Sequence, residues 1–142
     1  MKKINLIISC SNKKIDGETK AGKIYDGTWW KVLKNNRQGK DFNLFILSAK
    51  YGLIHEDTEV ENYNLRFTSK KKPGVNEVSI DSMIEKVKNQ VNDYNLKEVY
   101  FLGGKDYRKI IKETDLEVSF IGNDSDGIGE KARHLKNFLK NL

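Results

Sequence analysis

Apolar and polar positions alternate between two rhythms along the chain. Short, nearly continuous apolar runs recur at Lys3 to Ser9, Phe42 to Leu47, Glu98 to Leu102 and Glu117 to Ile121. Runs of that length, rich in Ile, Leu, Val and Phe, read as buried strands. Between them the spacing changes to that of a helical face. Ile80, Met83, Ile84, Val87 and Val91 mark the clearest helix, with Ser79 as its N-cap. Trp29, Trp30 and Leu33 mark a helix over Thr28 to Asn36, with Asp26 as cap and Gly39 as terminator. A short helix follows Gly103 and runs to about Glu113. Ile128, Ala132, Leu135, Phe138 and Leu139 mark the last helix. Ile15 to Lys23, polar and with two glycines, reads as a mobile loop, and Ile54 to Thr68 as an extended excursion.

Strands that alternate with helices predict an α/β fold of three layers, α/β/α, on a mainly parallel sheet of about four strands. With 142 residues and no internal repeat, the chain reads as one domain, 1–142. In a parallel sheet the four strand ends share one edge. They read Ser9-Cys10-Ser11, Ser48-Ala49-Lys50-Tyr51-Gly52, Gly103-Gly104-Lys105-Asp106-Tyr107-Arg108 and Gly122-Asn123-Asp124-Ser125-Asp126-Gly127. Ligands of open α/β sheets sit at that edge, so a site is expected there.

Charge adds a partner class. Twenty-six Lys and Arg against 20 Asp and Glu give a net charge of +6, which suits phosphate as well as it suits a solvated surface. The basic turn Ser69 to Gly74 carries the same two readings. A mean hydropathy of −0.67 and the absence of a long apolar run argue against a membrane partner. The opening Met1-Lys2-Lys3-Ile4 is too briefly apolar for a secretion signal. A single cysteine, Cys10, excludes an internal disulfide framework and points to a reducing cytoplasm. No Cys/His cluster has zinc spacing, and no P-loop, Gly-x-Ser-x-Gly or Gly-x-Gly-x-x-Gly is present, so no metal and no cofactor is expected.

The residue types at the strand ends suggest the chemistry. Lys14 and Lys50 are amines that serve either as nucleophiles or as phosphate partners. Asp124 and Asp126 either act as a base on water or form turns. Cys10 is a nucleophile only if His55 or His134 serves it, and otherwise a small buried side chain. Gly127-Ile128-Gly129 opens a helix whose N-terminus suits an anion. Tyr25, Tyr51, Tyr63 and Tyr107 could stack on a nucleobase or fill half-buried space.

Taken together, Ser9-Cys10-Ser11-Asn12-Lys13-Lys14, Tyr25, Ile46 to Leu53 (Ile-Leu-Ser-Ala-Lys-Tyr-Gly-Leu), Tyr63, Gly103 to Arg108 and Gly127 to Gly129 resemble a bacterial and phage family with the signature Ser-Cys-Ser-x-x-Lys … Leu-Ser-Ala-Lys-Tyr-Gly-Leu. That family resembles the lysine-transfer domain of archaeosine synthase and, more distantly, the uracil-DNA glycosylase-like fold. Cys10 and Lys14 match the synthase's cysteine and lysine in spacing, whereas its flanking prolines and following tyrosine are missing here.

The resemblance implies an enzyme acting on a nucleobase in nucleic acid, DNA ahead of RNA. The leading expectation is a DNA glycosylase, a hydrolase that removes a modified base flipped out of the stack. Such an activity would serve antiviral defence against phage with modified DNA, or nucleotide salvage. Asp124, Lys14 and Lys50 are the expected catalytic groups. Ser9, Cys10, Ser11, Tyr25, Ser48, Tyr51, Gly52, Tyr63, Gly103, Gly104, Tyr107 and Arg108 are the expected substrate contacts. The alternatives are a non-enzymatic module that senses a nucleotide or modified base, and a transferase similar to archaeosine synthase.

Overall fold

The computed structural model describes residues 3–142. Met1 and Lys2, part of the stretch weighed as a secretion signal, lie outside the described residues. Among the described residues seven strands and five helices follow one another: β1 (Ile4–Ser9), α1 (Ala21–Ile24), α2 (Thr28–Asn36), β2 (Phe42–Ser48), β3 (Gly52–His55), β4 (Arg66–Thr68), β5 (Glu77–Ser79), α3 (Ile80–Asp93), β6 (Glu98–Leu102), α4 (Lys105–Lys112), β7 (Glu117–Phe120) and α5 (Ile128–Lys140). The central sheet has the order β3-β2-β1-β6-β7. All its pairs are parallel except β2 with β3. Helices α2 and α5 pack together, as do α3 and α4, and the sheet is flanked in three α/β/α layers.

The central strands are buried because both faces are covered. Leu6, Ile7 and Ile8 of β1 and Leu44, Ile46 and Leu47 of β2 are fully enclosed. Trp30 and Leu33 bring α2 into this core, Val87 and Val91 bring α3, and Leu135 and Leu139 bring α5.

Chain direction places a crevice in the sheet. From β1 the chain crosses by α1 and α2 to β2 on one side; from β6 it crosses by α4 to β7 on the other. The loops after the adjacent strands β1 and β6 therefore part, which makes a topological switch point, the usual ligand position in open α/β sheets.

Several elements differ from the pattern-based expectation. The fifth sheet strand, β3, turns back on β2 through Ala49 to Tyr51, so the Lys-Tyr-Gly block is a hairpin. The excursion after it contains β4, which pairs in parallel with β5 in a second, two-stranded sheet. Residues 15–23 are pinned: Ile15 N donates to Ile24 O, Ala21 N to Thr58 O, and Val60 N to Thr19 O. Ala21 and Ile24 are fully buried, and this anchoring overrides the glycine and polar content that suggested mobility. Gly27, and not Asp26, occupies the N-cap of α2. Ser79 holds the N-cap position of α3 without a side-chain bond. Ile128 is exposed at the start of α5 while Ala132, Leu135 and Leu139 are buried.

Candidate functional site

At the carboxyl end of β1, Cys10 N still donates to Leu47 O, which continues the strand pairing by one residue. The chain then turns away. Ser11 Oγ holds the turn by donating to Lys13 O and accepting from Gly27 N, at 2.8 and 3.2 Å. These bonds bring the start of α2 against the end of β1. Trp30 Nε1 donates to Ser9 O at 2.9 Å and locks the helix there. The result is a cavity of about 420 Å³ between Cys10 to Lys13, Asp26 to Trp29, Lys31 and Ile128 of α5.

A buried hydroxyl cluster lies beside it. Ser48 Oγ accepts from the amides of Lys50 and Tyr51, at 3.2 and 3.1 Å. Those two bonds use its lone pairs, so its proton goes to Tyr63 Oη at 2.6 Å. Tyr63 in turn donates to Tyr25 Oη at 2.7 Å. Tyr25 is fully buried and packs on Trp30, with ring centroids 5.2 Å apart. Burial raises the pKa values of Tyr25 and Tyr63, with the nearby Cys10 as the next cause. Tyr107 is raised by the same causes; its hydroxyl meets Cys10 Sγ at 3.4 Å and its ring packs on Phe67.

Lys14 closes this cluster. Its ammonium donates to Tyr63 O at 2.7 Å and to Asn12 O at 3.4 Å, and lies 4.2 Å from the centre of the Tyr63 ring. Desolvation lowers its pKa. Lys50 points elsewhere, to Glu61 at 3.7 Å. Tyr51 packs edge-on against Tyr63 and accepts from Glu61 N.

Gly52, with φ +76°, permits the tight turn into β3, and Gln90 fills the space beside it by accepting from Leu53 N and donating to Tyr51 O. Gly103 is pressed between Phe101 and Ser9, where no side chain fits, and Gly104 is the N-cap of α4.

Arg108 and Asp124 lie together in a different setting. The Arg108 guanidinium donates to Gly122 O at 2.9 Å, stands over Phe120 and meets Asp124 Oδ1 at 3.0 Å. Lys112 reaches the other oxygen of Asp124 at 3.8 Å. Asp126 accepts from Asn123 N and faces His134 at 3.4 Å. The structure thus gathers Ser9, Cys10, Ser11, Lys14, Tyr25, Ser48, Tyr63 and Tyr107 around one strand edge, and ties Asp124 to Arg108 and Lys112.

The carboxylate on the cavity wall is Asp26. Its place directly before Gly27 suggests a helix cap, and that signal concealed it. Trp29 and Trp30 mark the same helix in the sequence, yet Trp29 lines the cavity while Trp30 is fully buried. Two adjacent tryptophans at a helix start must face different ways, and that was the available signal. No cluster of three or more His, Cys, Asp or Glu that could hold a metal occurs among the described residues. No helix among the described residues is long and apolar enough to cross a membrane.

A family model described as a family of unknown function, DUF6884, matches residues 5–137. The chain belongs to this family. The match runs from within β1 to within α5, so the family segment includes the cavity, the hydroxyl cluster and the Arg108–Asp124 pair. A search of curated proteins finds no match.

Proposed function

We propose that the chain acts on a nucleobase in nucleic acid and cleaves its N-glycosidic bond. The observation that carries this reading is the cavity at the carboxyl end of β1, whose wall brings Asp26 together with Cys10, Ser11, Lys13, Lys31 and Trp29. An aromatic face for a flipped base, cations for the strand and a carboxylate for water are the parts such a reaction uses.

In this reading Trp29 stacks on the base and Ser11 bonds its edge. Lys13 and Lys31 hold flanking phosphates. Asp26 takes the role first expected of Asp124, whose oxygens are engaged by Arg108 and Lys112. It accepts a proton from water as the water oxygen bonds to C1′. The C–N bond breaks, and the base leaves with the electron pair and takes up a proton. The tyrosine cluster supports the floor beneath.

Incubation with DNAs and RNAs carrying different modified bases, followed by mass spectrometry of the small-molecule fraction, tests the reaction. Free base is expected, with release falling at least about a hundredfold in Asp26→Asn, the scale of a lost general base. Binding of a modified nucleotide with no release from any substrate would favour the sensing module instead.

A second course is attack by Lys14, which stands in the hydroxyl cluster beside the cavity and whose pKa desolvation lowers. Its neutral nitrogen would bond to C1′, expel the base and leave an iminium that borohydride reduces to a stable link. A protein–nucleic acid adduct formed by wild type and absent in Lys14→Ala would establish it. Transfer of the lysine amine to the base, as in the transferase reading, would leave no free base and no C1′ adduct.

A further inference from the structure

The basic turn after β4 takes no part in the cavity. β4 and β5 form a small parallel sheet, and residues 69–76 join them without a helix. A parallel pair ordinarily needs a longer connection, so a short one must be closely bonded to close. Glu77 supplies much of that bonding. Its side chain is 9% exposed, and its Oε1 accepts from Gly74 N at 2.8 Å and from Lys70 Nζ at 3.3 Å. Its Oε2 meets Arg66 at 3.5 Å, and its own amide donates back to Gly74 O at 3.2 Å. Gly74 lies so near the carboxylate that a Cβ there would meet it at 2.8 Å. Arg66 N donates to Asn76 O, and Lys70 N to Thr68 Oγ1.

These bonds spend Arg66 and Lys70 within the turn and leave other groups outward. Lys71 and Lys72 are exposed and form none of the ion pairs among the described residues, and Val75 is 97% exposed. Two unspent cations beside a bare isopropyl group suit a partner that has both negative charge and apolar faces. The root of the turn says where that partner lies. Phe67 of β4 is buried and packs on Tyr107 with ring centroids 4.9 Å apart. The Tyr107 hydroxyl meets Cys10 Sγ at 3.4 Å, and Cys10 lines the cavity. The turn is therefore rooted beside α4 at the carboxyl edge of the sheet, with Cys10 between it and the cavity.

We propose that residues 69–76 form an arm that holds a single-stranded nucleic-acid segment next to the base in the cavity. Lys71 and Lys72 take its phosphates, and Val75 packs on a base or sugar face. Glu77 is a positioning residue that fixes the turn so that these groups face the strand. This rests on the cavity being the nucleic-acid site and adds a second contact to it. A single strand shows the base faces that a duplex hides, so it alone uses Val75. One valine and two lysines supply neither the buried area nor the polybasic patch that membrane attachment takes.

Fluorescence titration of a labelled single-stranded oligonucleotide over a range of salt concentrations tests it. In the double variant Lys71→Ser, Lys72→Ser the salt slope is expected to become shallower by about 1.4, from two lost contacts at about 0.7 each. Val75→Ser is expected to bind about fivefold more weakly at every salt concentration with its slope unchanged, because an apolar contact releases no counterion. Glu77→Ala removes a negative charge and is nevertheless expected to lose affinity. A short oligonucleotide that fills only the cavity should bind all of these variants as it binds wild type.

An unchanged slope in the lysine variant, or undiminished binding by Val75→Ser, would overturn the proposal. Glu77→Ala binding at or above wild type would overturn it too, since the lysines would then act as a diffuse charge. If Glu77→Ala fails to fold, the exposed Lys71, Lys72 and Val75 changes still decide the matter. The same losses on a fully paired duplex, or on phosphatidylserine vesicles, would assign the arm to that partner and overturn the single-strand contact. Oligonucleotide binding that ignores every arm variant would remove this inference and leave the cavity reading intact. Arm-dependent binding without base release from any substrate would keep it and remove the glycosidic step.

Discussion

Tyr63 is the residue on which the buried cluster turns. It accepts from Ser48, donates to Tyr25, and carries the Lys14 ammonium on its carbonyl and ring. Replacing it by Phe leaves the Ser48 proton and a Tyr25 lone pair without partners, a loss of about 1–3 kcal/mol by equilibrium urea unfolding. The cluster also has an alkaline signature. Tyr25, Tyr63 and Tyr107 have folded pKa values raised above the ordinary 10.0. Their contribution is fully present below that value and is lost as pH rises above it, because the unfolded phenols ionise first. Each costs about 1.4 kcal/mol per pH unit in that window. Lys14 acts in the opposite sense, since its lowered pKa means that folded stability recovers as pH rises towards the unfolded value of 10.5. Three phenols outweigh one amine, so unfolding measured from pH 9 to 11 should show a net fall above about pH 10. Tyr63→Phe should make that fall shallower, and Lys14→Met should make it steeper. A wild-type stability that rose through this range would refute the assignment of the buried phenols.

At the scale of elements, the four parallel strands and helices α2, α3, α4 and α5 follow the apolar periodicity closely. Glu98–Leu102 and Thr28–Asn36 fall where the pattern places them, because burial on both faces leaves no other spacing for those residues. What the pattern hides is structure held by polar and backbone groups. β3 is four residues long and forms only because Gly52 turns the chain and Gln90 bonds both sides of that turn. β4 and β5 have three residues each, too few to show an alternation. The 15–25 strap is secured by backbone bonds to residues 56–60, which leave no mark on side-chain pattern. Gly52→Ala tests the hairpin. An added Cβ would meet the Gln90 carboxamide and adopt a φ that L residues avoid. We expect a loss of about 1–3 kcal/mol and earlier amide exchange at Leu53, with Gln90→Ala reproducing much of it. An unchanged melting temperature in Gly52→Ala would show that the turn is not held as described.

The same distinction governs the site. Its edge was legible because strand direction alone gathers the loop chemistry at one end, and Cys10, Tyr25, Ser48 and Tyr63 do converge there. The positions of Asp26 and Trp29 on the cavity wall were not, since both sit at a helix start whose pattern reads as cap or helical face.

For the whole molecule, the net charge of +6 matters through where its unpaired part lies. Many cations are committed locally: Lys3 to Asp41, Arg37 to Glu56, Arg66 and Lys70 to Glu77, Arg133 to Glu130. Lys13 and Lys31 are exposed, line the cavity and form none of the ion pairs. If nucleic acid docks on this edge, each neutralises a phosphate and releases a condensed counterion. The logarithm of the binding constant then falls linearly with the logarithm of salt concentration, with a slope of about −0.7 per contact for a single strand. Fluorescence titrations of a labelled oligonucleotide from low to moderate salt should give a shallower slope by about that amount in Lys13→Ala and in Lys31→Ala, and by twice as much in the double variant. Lys86→Ala, an exposed change on α3 across the sheet, should leave the slope unchanged. Equal slopes in all four variants would mean that the charge acts only as a diffuse field, and would move the nucleic-acid contact away from the carboxyl edge of the sheet.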